Sequence, residues 1–342
     1  MAIGSDVTVA RGLQIGSDAQ GLLYKFFAGS VVEAFHKAIM VWGTDRIQMR
    51  NLQPGQKSAS FPIFGDSPEE PDYQTVAGSF IDGGTINVTE EIVAVNDPLI
   101  KALNVPMVDQ QLSAWDQIGP HAMEIGRLIA EDLDKKALVV GVNAARTAAV
   151  ANVHPGGKQV SRTAASVAAA YPINQTGATN LITDLNTMAQ TMDENDIPKG
   201  PMIRHAFMSP REYNVLTQDT SVRMSRDYVG GENTQVDVRM INVVEGFSIH
   251  TTQLLPSTNI TTGPAAYQGN FTVGSSLHQP AVLCLANVAG VQGAIGGVQA
   301  GGIESIVEAD QHRHVWFLKS SVLCGMDVVA PWMAGEIGVK SS

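Results

Sequence analysis

The sequence predicts an α+β fold, and three observations support this prediction. A stripe of apolar side chains at helical spacing runs through residues 118–149. Segments that alternate apolar and polar side chains, as half-buried strands do, occur at residues 57–64, at 85–95 and again at 303–337. Helices and strands are mixed but do not follow a regular βαβ order. The 342 residues are enough for roughly two domains.

Composition excludes some classes of function. The chain has 33 Asp and Glu against 22 Lys and Arg, a net charge of −11, and no run of basic residues. A protein that reads a nucleic-acid sequence needs a basic footprint, so this function is not expected. Charged residues make up only 16%, which favours a surface that partly meets other protein. Cys284 and Cys324 cannot form a disulfide scaffold, so a reducing cytoplasmic origin is expected.

The N-terminal region is predicted to be an arm followed by a helix. Residues 1–17 are rich in Gly and Ser and carry neither a periodic pattern nor a signal peptide, so a flexible arm is expected. An amphipathic helix should then extend from residue 17 to Trp42. Three charged side chains in this apolar segment would be costly in lipid, so a buried helix is expected rather than a membrane span. These are Lys25, Glu33 and Lys37.

Residues 57–64 and 85–95 are predicted to pair as an antiparallel hairpin. Pro62 cannot donate a ladder hydrogen bond, so it belongs on an edge strand or at a bulge. The connection of about twenty residues suggests that the hairpin projects as a ribbon. A ribbon of two strands is marginal in water, so its apolar side must lie on another surface. That side is predicted to carry Ile86, Val88, Ile92 and Ala94.

The segment 118–149 predicts one long helix that begins at Gly119–Pro120. Some thirty residues at 1.5 Å each span roughly 45 Å, the length of a supporting beam. Residues 154–180 are small and polar, which favours a loop or linker. The pattern then predicts helices at 181–192 and 210–217, and strands at 203–208, 243–252 and 281–288, with two or three more strands in 303–337.

No group of residues forms a recognisable catalytic, cofactor or metal site. The Gly-rich segment 290–302 lacks the phosphate-binding signatures and is expected to be a flexible or tightly packed crossover. His312 and His314 would share one side of a strand, but a third metal ligand is not signalled. Around Arg226 and Tyr228 the alternatives are contact with a neighbour or an acidic ligand, and a solvated loop. We therefore expect no cofactor, no metal and no enzymatic activity.

Five segments, in this order, resemble the major capsid protein of tailed bacteriophages, most nearly that of podoviruses of the autographivirus type. Each match is short, and their common order and spacing carry the resemblance. The segments are 24–35 (YKFFAGSVVEAF), 57–65 (KSASFPIFG), 208–213 (MSPREY), 245–249 (EGFSI) and 322–331 (VLCGMDVVAP).

The resemblance implies the HK97-type capsid fold, which has an N-terminal arm, an extended loop, a long spine helix, and peripheral and axial domains. The implied division is an N-terminal arm and helix at 1–50, the extended loop at 51–95, the peripheral domain with the spine helix at 96–160, the axial domain at 161–290, and a return to the peripheral domain at 291–342.

The resemblance also implies a function. The chain would assemble into pentamers and hexamers of an icosahedral head that encloses double-stranded DNA without reading its sequence. Portal and scaffolding proteins are expected partners, a cement protein is a further option, and no membrane is involved. The protein would be made in the host cytoplasm and reside in the virion. The expected assembly interface comprises Phe61, Ile63, Glu69, Glu70, Ile86, Val88, Ile92, Arg226 and Tyr228.

Two alternatives remain open at this point. One is another structural phage component, such as a tail or tube protein, which would form rings or rods. The other is an acidic α/β enzyme with an unrecognised site, which would have a cleft with perturbed ionisable groups.

Overall fold

The computed structural model describes residues 17–43, 45–64, 88–112, 118–151, 153–200, 202–219, 243–275, 278–288 and 292–341. Within these ranges it contains six α-helices. They are α1 (Ser17–Ala38), α2 (Met107–Leu112), α3 (Ile118–Arg146), α4 (Val167–Ala170), α5 (Gln175–Glu194) and α6 (Pro210–Leu216).

Fifteen strands are described in the same ranges. They are β1 (Gln48–Asn51), β2 (Ser58–Phe64), β3 (Val88–Ala94), β4 (Leu99–Pro106), β5 (Lys158–Thr163), β6 (Arg204–Met208), β7 (Val243–Val244), β8 (Phe247–Thr251), β9 (Gln279–Val288), β10 (Gln292–Gly293), β11 (Ile295–Gln299), β12 (Glu304–Asp310), β13 (Val315–Val322), β14 (Cys324–Val328) and β15 (Ala334–Lys340).

The strands form one large sheet and three small ones. The large sheet has seven strands in the order β5-β15-β9-β6-β8-β7, with β10 paired to β9. The sheets β1-β11-β14 and β12-β13-β4 have three strands each, and β2 pairs with β3 alone. Both parallel and antiparallel pairs occur in the large sheet, which confirms the predicted α+β class.

The long helix α3 organises the body of the subunit. Its buried residues run along the whole helix, from Ile118 to Ala145, as the apolar stripe predicts. Helix α1 packs along it, and the large sheet covers another part of its surface. The resulting core is continuous across both halves of the chain. The predicted beam is therefore confirmed, although it ends at Arg146 rather than residue 149.

The first helix ends earlier than the sequence pattern suggests. Helix α1 stops at Ala38 instead of continuing to Trp42. The buried carboxylate of Asp134 on α3 accepts hydrogen bonds from the backbone N–H groups of Met40, Val41 and Trp42 at 2.7, 2.8 and 3.0 Å. These donors are thereby turned away from the helix, which is why the chain leaves the helical path there.

Three other predictions need correction. The expected linker 154–180 contains β5, α4 and the start of α5, because β5 finds a parallel partner in β15. The Gly-rich segment forms β10 and β11. A Cβ at Gly296 would lie 2.4 Å from Val329 Cγ2 and 3.3 Å from the Phe61 ring, so glycine there allows large side chains to pack on the strand. Four strands, rather than two or three, follow residue 303.

The two histidines His312 and His314 lie in a turn, not on one side of a strand. The carboxylate of Asp310 accepts from the N–H groups of His312 and Arg313 at 3.0 and 3.2 Å, and so turns the chain between β12 and β13. The predicted strand at these residues is therefore wrong.

Candidate assembly interface

The extended hairpin, formed by β2 and β3, is anchored to its own subunit by one side. Phe61 and Val93 are each 1% exposed and cluster with Val298 of β11 and Val329. The guanidinium of Arg50 lies 4.7 Å from the centre of the Phe61 ring, and its Nη1 donates to the carbonyl of Ser60 at 2.8 Å. This side of the hairpin is thus part of the subunit's own packing.

The other side of the hairpin is exposed. Val88 is 58% exposed and Ile92 is 55% exposed, and both point away from the cluster that holds Phe61. Between them, Glu90 accepts a hydrogen bond from the Ser60 hydroxyl at 2.6 Å. We call Val88, Glu90 and Ile92 the outer row. Two exposed aliphatic side chains two places apart on a two-stranded ribbon indicate a surface that the subunit itself leaves uncovered.

The base of the hairpin sits unusually close to β14. A Cβ at Gly325 would lie 2.0 Å from the carbonyl oxygen of Ala94, so no larger residue fits without moving the backbone. Next to this contact, Tyr267 Oη accepts from Asn96 Nδ2 at 2.6 Å and from the Met326 N–H at 3.1 Å. These contacts fix the direction in which the hairpin leaves the body.

Two carboxyl groups face each other near this base. Burial raises the pKa of Glu91 on β3, and the charge of Asp327 on β14 raises it further. Burial also raises the pKa of Asp327, against an opposing hydrogen bond from the Val328 N–H. The hairpin base therefore carries an electrostatic repulsion when both groups are ionised.

A second group of ionisable side chains lies within the large sheet. His205 on β6 and His250 on β8 approach to 3.1 Å between Nδ1 and Nε2, and Phe207 stacks on the His250 ring. Burial lowers the pKa of both histidines, that of His250 to about 4, and the nearby charge of Arg46 lowers both further. Among the described residues, no third His, Cys, Asp or Glu joins this pair in a group that could hold a metal ion.

The structure places the predicted interface residues in three groups. Val88 and Ile92 lie on the exposed side of the hairpin. Phe61 and Ile63 are buried within their own subunit, on the side of the hairpin that faces its body. The remaining five lie outside the described residues; they are Glu69, Glu70, Ile86, Arg226 and Tyr228.

Sequence reasoning missed the residues that hold the hairpin in place. Arg50, Tyr267 and Gly325 come from distant parts of the chain, and each is unremarkable in its local sequence. The sequence held one weak indication, because Gly325 lies within the segment 322–331 that resembles the family. A sequence pattern does not show, however, that this glycine contacts the carbonyl of Ala94.

Chemical sites are not indicated in the part of the chain that is described. Both cysteines are buried; burial raises the pKa of Cys284 far above its usual value and that of Cys324 to about 11, so neither is a reactive thiolate. Across the described ranges, no three His, Cys, Asp or Glu side chains are grouped as metal ligands would be. Among the described helices, none has the length and apolarity required to cross a membrane.

The subunit has a body with a continuous core and a hairpin whose outer side, with Val88 and Ile92, stays exposed. An exposed apolar surface of this kind is typical of a protein that binds other subunits. The sequence profile of the Gp10A-like major capsid protein family matches residues 60–310. The chain belongs to this family, and it is therefore a structural protein of the bacteriophage capsid and virion, not an enzyme. Self-assembly into a multimeric shell follows from that role.

Solved capsid structures share the fold. The capsid protein of cyanophage P-SCSP1u superposes with a TM-score of 0.71 at 24% identity over 87% of each chain. The mature capsid of bacteriophage PhiM1 gives 0.66 at 15% identity, covering 88% of this chain and 87% of that one. The capsid of Ralstonia phage GP4 gives 0.57 at 12% identity, covering 90% and 91%. No curated protein sequence matches the chain.

Proposed function

We propose that the chain forms pentameric and hexameric capsomers of an icosahedral phage head that encloses double-stranded DNA. In this proposal the extended hairpin of each subunit lies across its neighbour. The observation that carries it is the outer row, whose Val88 and Ile92 are more than half exposed while the opposite side of the hairpin is buried. A shell subunit has such a surface because its partner covers it.

In this proposal the predicted domains form different contacts within the shell. An arm and helix at 1–50, the extended loop at 51–95 and a peripheral domain around α3 would form contacts between neighbouring capsomers. The axial domain at 161–290 would form the capsomer centre. Many modest contacts, repeated over the shell, then give a stable container by multivalency.

The proposal assigns DNA a passive role. The net charge of −11 and the lack of basic runs favour a wall that contains the genome without gripping it. Portal and scaffolding proteins, and a cement protein where one exists, would be the other partners. Synthesis would take place in the host cytoplasm.

The test is electron microscopy of the purified full chain, expressed alone and with a scaffolding protein. We expect closed icosahedral shells with five-fold and six-fold capsomers. Rods, rings of a single symmetry or dispersed monomers under both conditions would contradict the proposal. As a control, Ile92→Asp together with Val88→Asp should leave the subunit folded but prevent shells, because it places charge on the surface that the neighbour covers.

A further inference from the structure

The chain makes a long excursion between β8 and β9, and we call residues 252–275 of this excursion the strap. Strand β8 ends at Thr251 and β9 begins at Gln279, and the strap contains one turn of 3₁₀-helix at Ala265–Tyr267. It carries no Asp, Glu, Lys or Arg, so charged side chains of its own do not hold it in place. A connection of this length inside a compact domain usually has a function of its own.

Both ends of the strap are tied to the large sheet. At its start, the N–H of Thr252 donates to the carbonyl of Met208 on β6 at 2.8 Å. Near its end, the carbonyl of Gly274 accepts from the N–H of Ser341, just after β15, at 3.1 Å. Because both contacts are backbone hydrogen bonds at strand ends, a movement of the large sheet carries the ends of the strap with it.

The middle of the strap is fixed to the long helix α3. Asn143 Nδ2 donates to the carbonyl of Ala266 at 3.1 Å and to the carbonyl of Gln268 at 2.9 Å. These two carbonyls flank Tyr267. A Cβ at Gly269 would lie 3.1 Å from Asn143 Oδ1, which shows how closely the strap passes the helix. One amide side chain of α3 therefore holds the backbone on both sides of Tyr267.

Tyr267 connects the strap to the base of the extended hairpin. Its side chain is buried, and Lys136 Nζ lies 5.6 Å from the centre of its ring. Its Oη accepts from Asn96 Nδ2 at 2.6 Å and from the Met326 N–H on β14 at 3.1 Å. Asn96 belongs to the connection through which the chain leaves the hairpin after β3. One hydroxyl group thus joins the strap, β14 and the hairpin base.

From these contacts we infer that the strap is a positioning element for assembly, and that Tyr267 sets the angle between the extended hairpin and the large sheet. Tyr267 acts through Asn96, so it is a positioning residue. Since the strap is tied to the sheet at both ends and to α3 in the middle, a displacement of the sheet within a capsomer is transmitted to the hairpin. The inference rests on the proposed function, in which the hairpin meets its neighbour in five-fold and six-fold rings alike.

Hydrogen exchange in free subunits gives the first test. Tyr267→Phe keeps the ring and removes the hydroxyl, so the backbone amides of β3 should exchange roughly tenfold faster, the order of one net hydrogen bond. The amides of β9 in the large sheet should be unaffected. Asn143→Ala should have the same effect on β3, although Asn143 Nδ2 bonds to the strap, because it frees the backbone on both sides of Tyr267.

Two further variants are controls for this measurement. Thr261→Val also removes one hydroxyl from the strap, but at an exposed position, and should exchange like the wild type. The double variant Tyr267→Phe with Asn96→Ala should exchange no faster than Tyr267→Phe alone, because both changes remove the same hydrogen bond.

Electron microscopy of assembled shells gives the second test. Tyr267→Phe and Asn143→Ala should each lower the yield of closed shells severalfold and broaden the distribution of their diameters. The reason is that a hairpin with a variable angle meets its neighbour at variable positions. Thr261→Val should give the yield and diameter of the wild type.

The outcomes separate this inference from the proposed function. If Tyr267→Phe leaves exchange in β3 unchanged, the hydroxyl does not position the hairpin. If exchange rises equally in β3 and β9, Tyr267 has only a general role in stability. If exchange rises in β3 alone but shells form with the wild-type yield and diameter, the angle of the hairpin does not govern assembly. Each of these results overturns the inference and leaves the proposed function standing.

Failure of the proposed function has a different signature. In that case the wild-type chain forms no shells under any condition, and the part of the inference that concerns assembly fails with it. The exchange measurement on free subunits then still decides whether Tyr267 positions the hairpin.

Discussion

The large sheet and the extended hairpin differ in how their strands are paired and how much of their surface is buried. In the sheet, strand β9 pairs on both edges and is buried along nearly its whole length. In the hairpin, each strand has one partner, and only one of the two sides is covered. The sheet is satisfied within one chain, whereas in the proposed function the exposed side of the hairpin is covered by another chain. Substitutions in the sheet should therefore affect folding, and substitutions on the hairpin should affect assembly.

The largest effect on folding is expected at the buried ion pair behind the large sheet. Glu336 on β15 is 1% exposed and accepts from Arg146 Nε and Nη2 at 2.7 and 2.6 Å and from Gln159 Nε2 at 3.0 Å. Glu336→Ala leaves the guanidinium without its carboxylate and should cost about 3–5 kcal/mol of unfolding free energy, measured by urea unfolding of free subunits.

Arg127→Ala is the control for this prediction. Its ion pairs with Glu124 and Glu131 lie on the exposed side of α3, so its loss should cost less than about 1 kcal/mol. Equal losses in the two variants would mean that the large sheet does not depend on its buried charge.

The next effect is expected at the hairpin base. Gly325→Ala forces a methyl group against the carbonyl of Ala94, and should cost about 1–3 kcal/mol and loosen the hairpin to proteases. Gly302→Ala is the matched control, because a Cβ there meets nothing within 4 Å. If the two variants unfold at the same temperature and resist protease equally, the close approach of Ala94 to β14 does not hold the hairpin.

Acid should weaken the large sheet through the pair His205–His250. Because their pKa values are lowered in the folded state, with that of His250 at about 4, the unfolded chain binds more protons below pH 6.5. The neutral pair therefore contributes to the free energy of unfolding above pH 6.5. This contribution, roughly 1–2 kcal/mol after solvent screening, is lost as the pH falls toward 4. The charges near the pair are Arg46 and Asp45. His250→Asn should flatten this pH dependence in urea unfolding; an unchanged slope between pH 6.5 and 4 would rule out the pair as its source.

The hairpin base should respond to acid with the opposite sign. The pKa values of Glu91 and Asp327 are raised in the folded state, so the folded chain binds protons more tightly there and gains stability as the pH falls through those values. Glu91→Gln removes the repulsion and should stabilise the base at pH 7 by a few tenths of a kcal/mol. Protection of the Glu91 and Val93 amides from hydrogen exchange measures this, and equal protection in wild type and variant would contradict it.

A similarly small effect on the free subunit is expected on the outer row. Ile92→Ser should change the unfolding free energy by no more than about 0.5 kcal/mol, because the side chain is 55% exposed. Shell yield measured by light scattering should nevertheless fall. The matched variant Val93→Ser, at the buried neighbour, should instead destabilise the subunit itself. A large loss of stability from Ile92→Ser would remove the distinction between the two sides of the hairpin.

Local pattern was sufficient where each element carries its own signals. The stripe along α3 predicted that helix, and Ser209 followed by Pro210 predicted the start of α6, where the Ser209 hydroxyl accepts from the Arg211 N–H at 3.2 Å. The strand β6 and the two strands of the hairpin were likewise predicted. These elements are decided by periodicity, caps and proline, all of which act within a few residues.

Local pattern was insufficient where a distant partner decides the outcome. Strand β1 exists because it pairs in parallel with β11, and the paired residues Gln48 and Gly296 lie about 250 positions apart in the chain. The Gly-rich sequence of β11 is typical of a loop. Only the structure shows that Phe61 and Val329 pack on Gly296 of this strand. Likewise, the small sheet β12-β13-β4 joins β4 to two strands from the far end of the sequence, so it cannot be recognised from any one segment.

The amino-acid sequence by itself determined the α+β class, the long helix, the hairpin and, through its ordered family segments, the capsid role. Only the tertiary structure decided where α1 ends, which side of the hairpin is buried and which surface remains open. The physical reason is that a strand with alternating side chains offers two possible faces. Which face is buried depends on the residues of the body that pack on it, and in this hairpin these are Val298 and Val329.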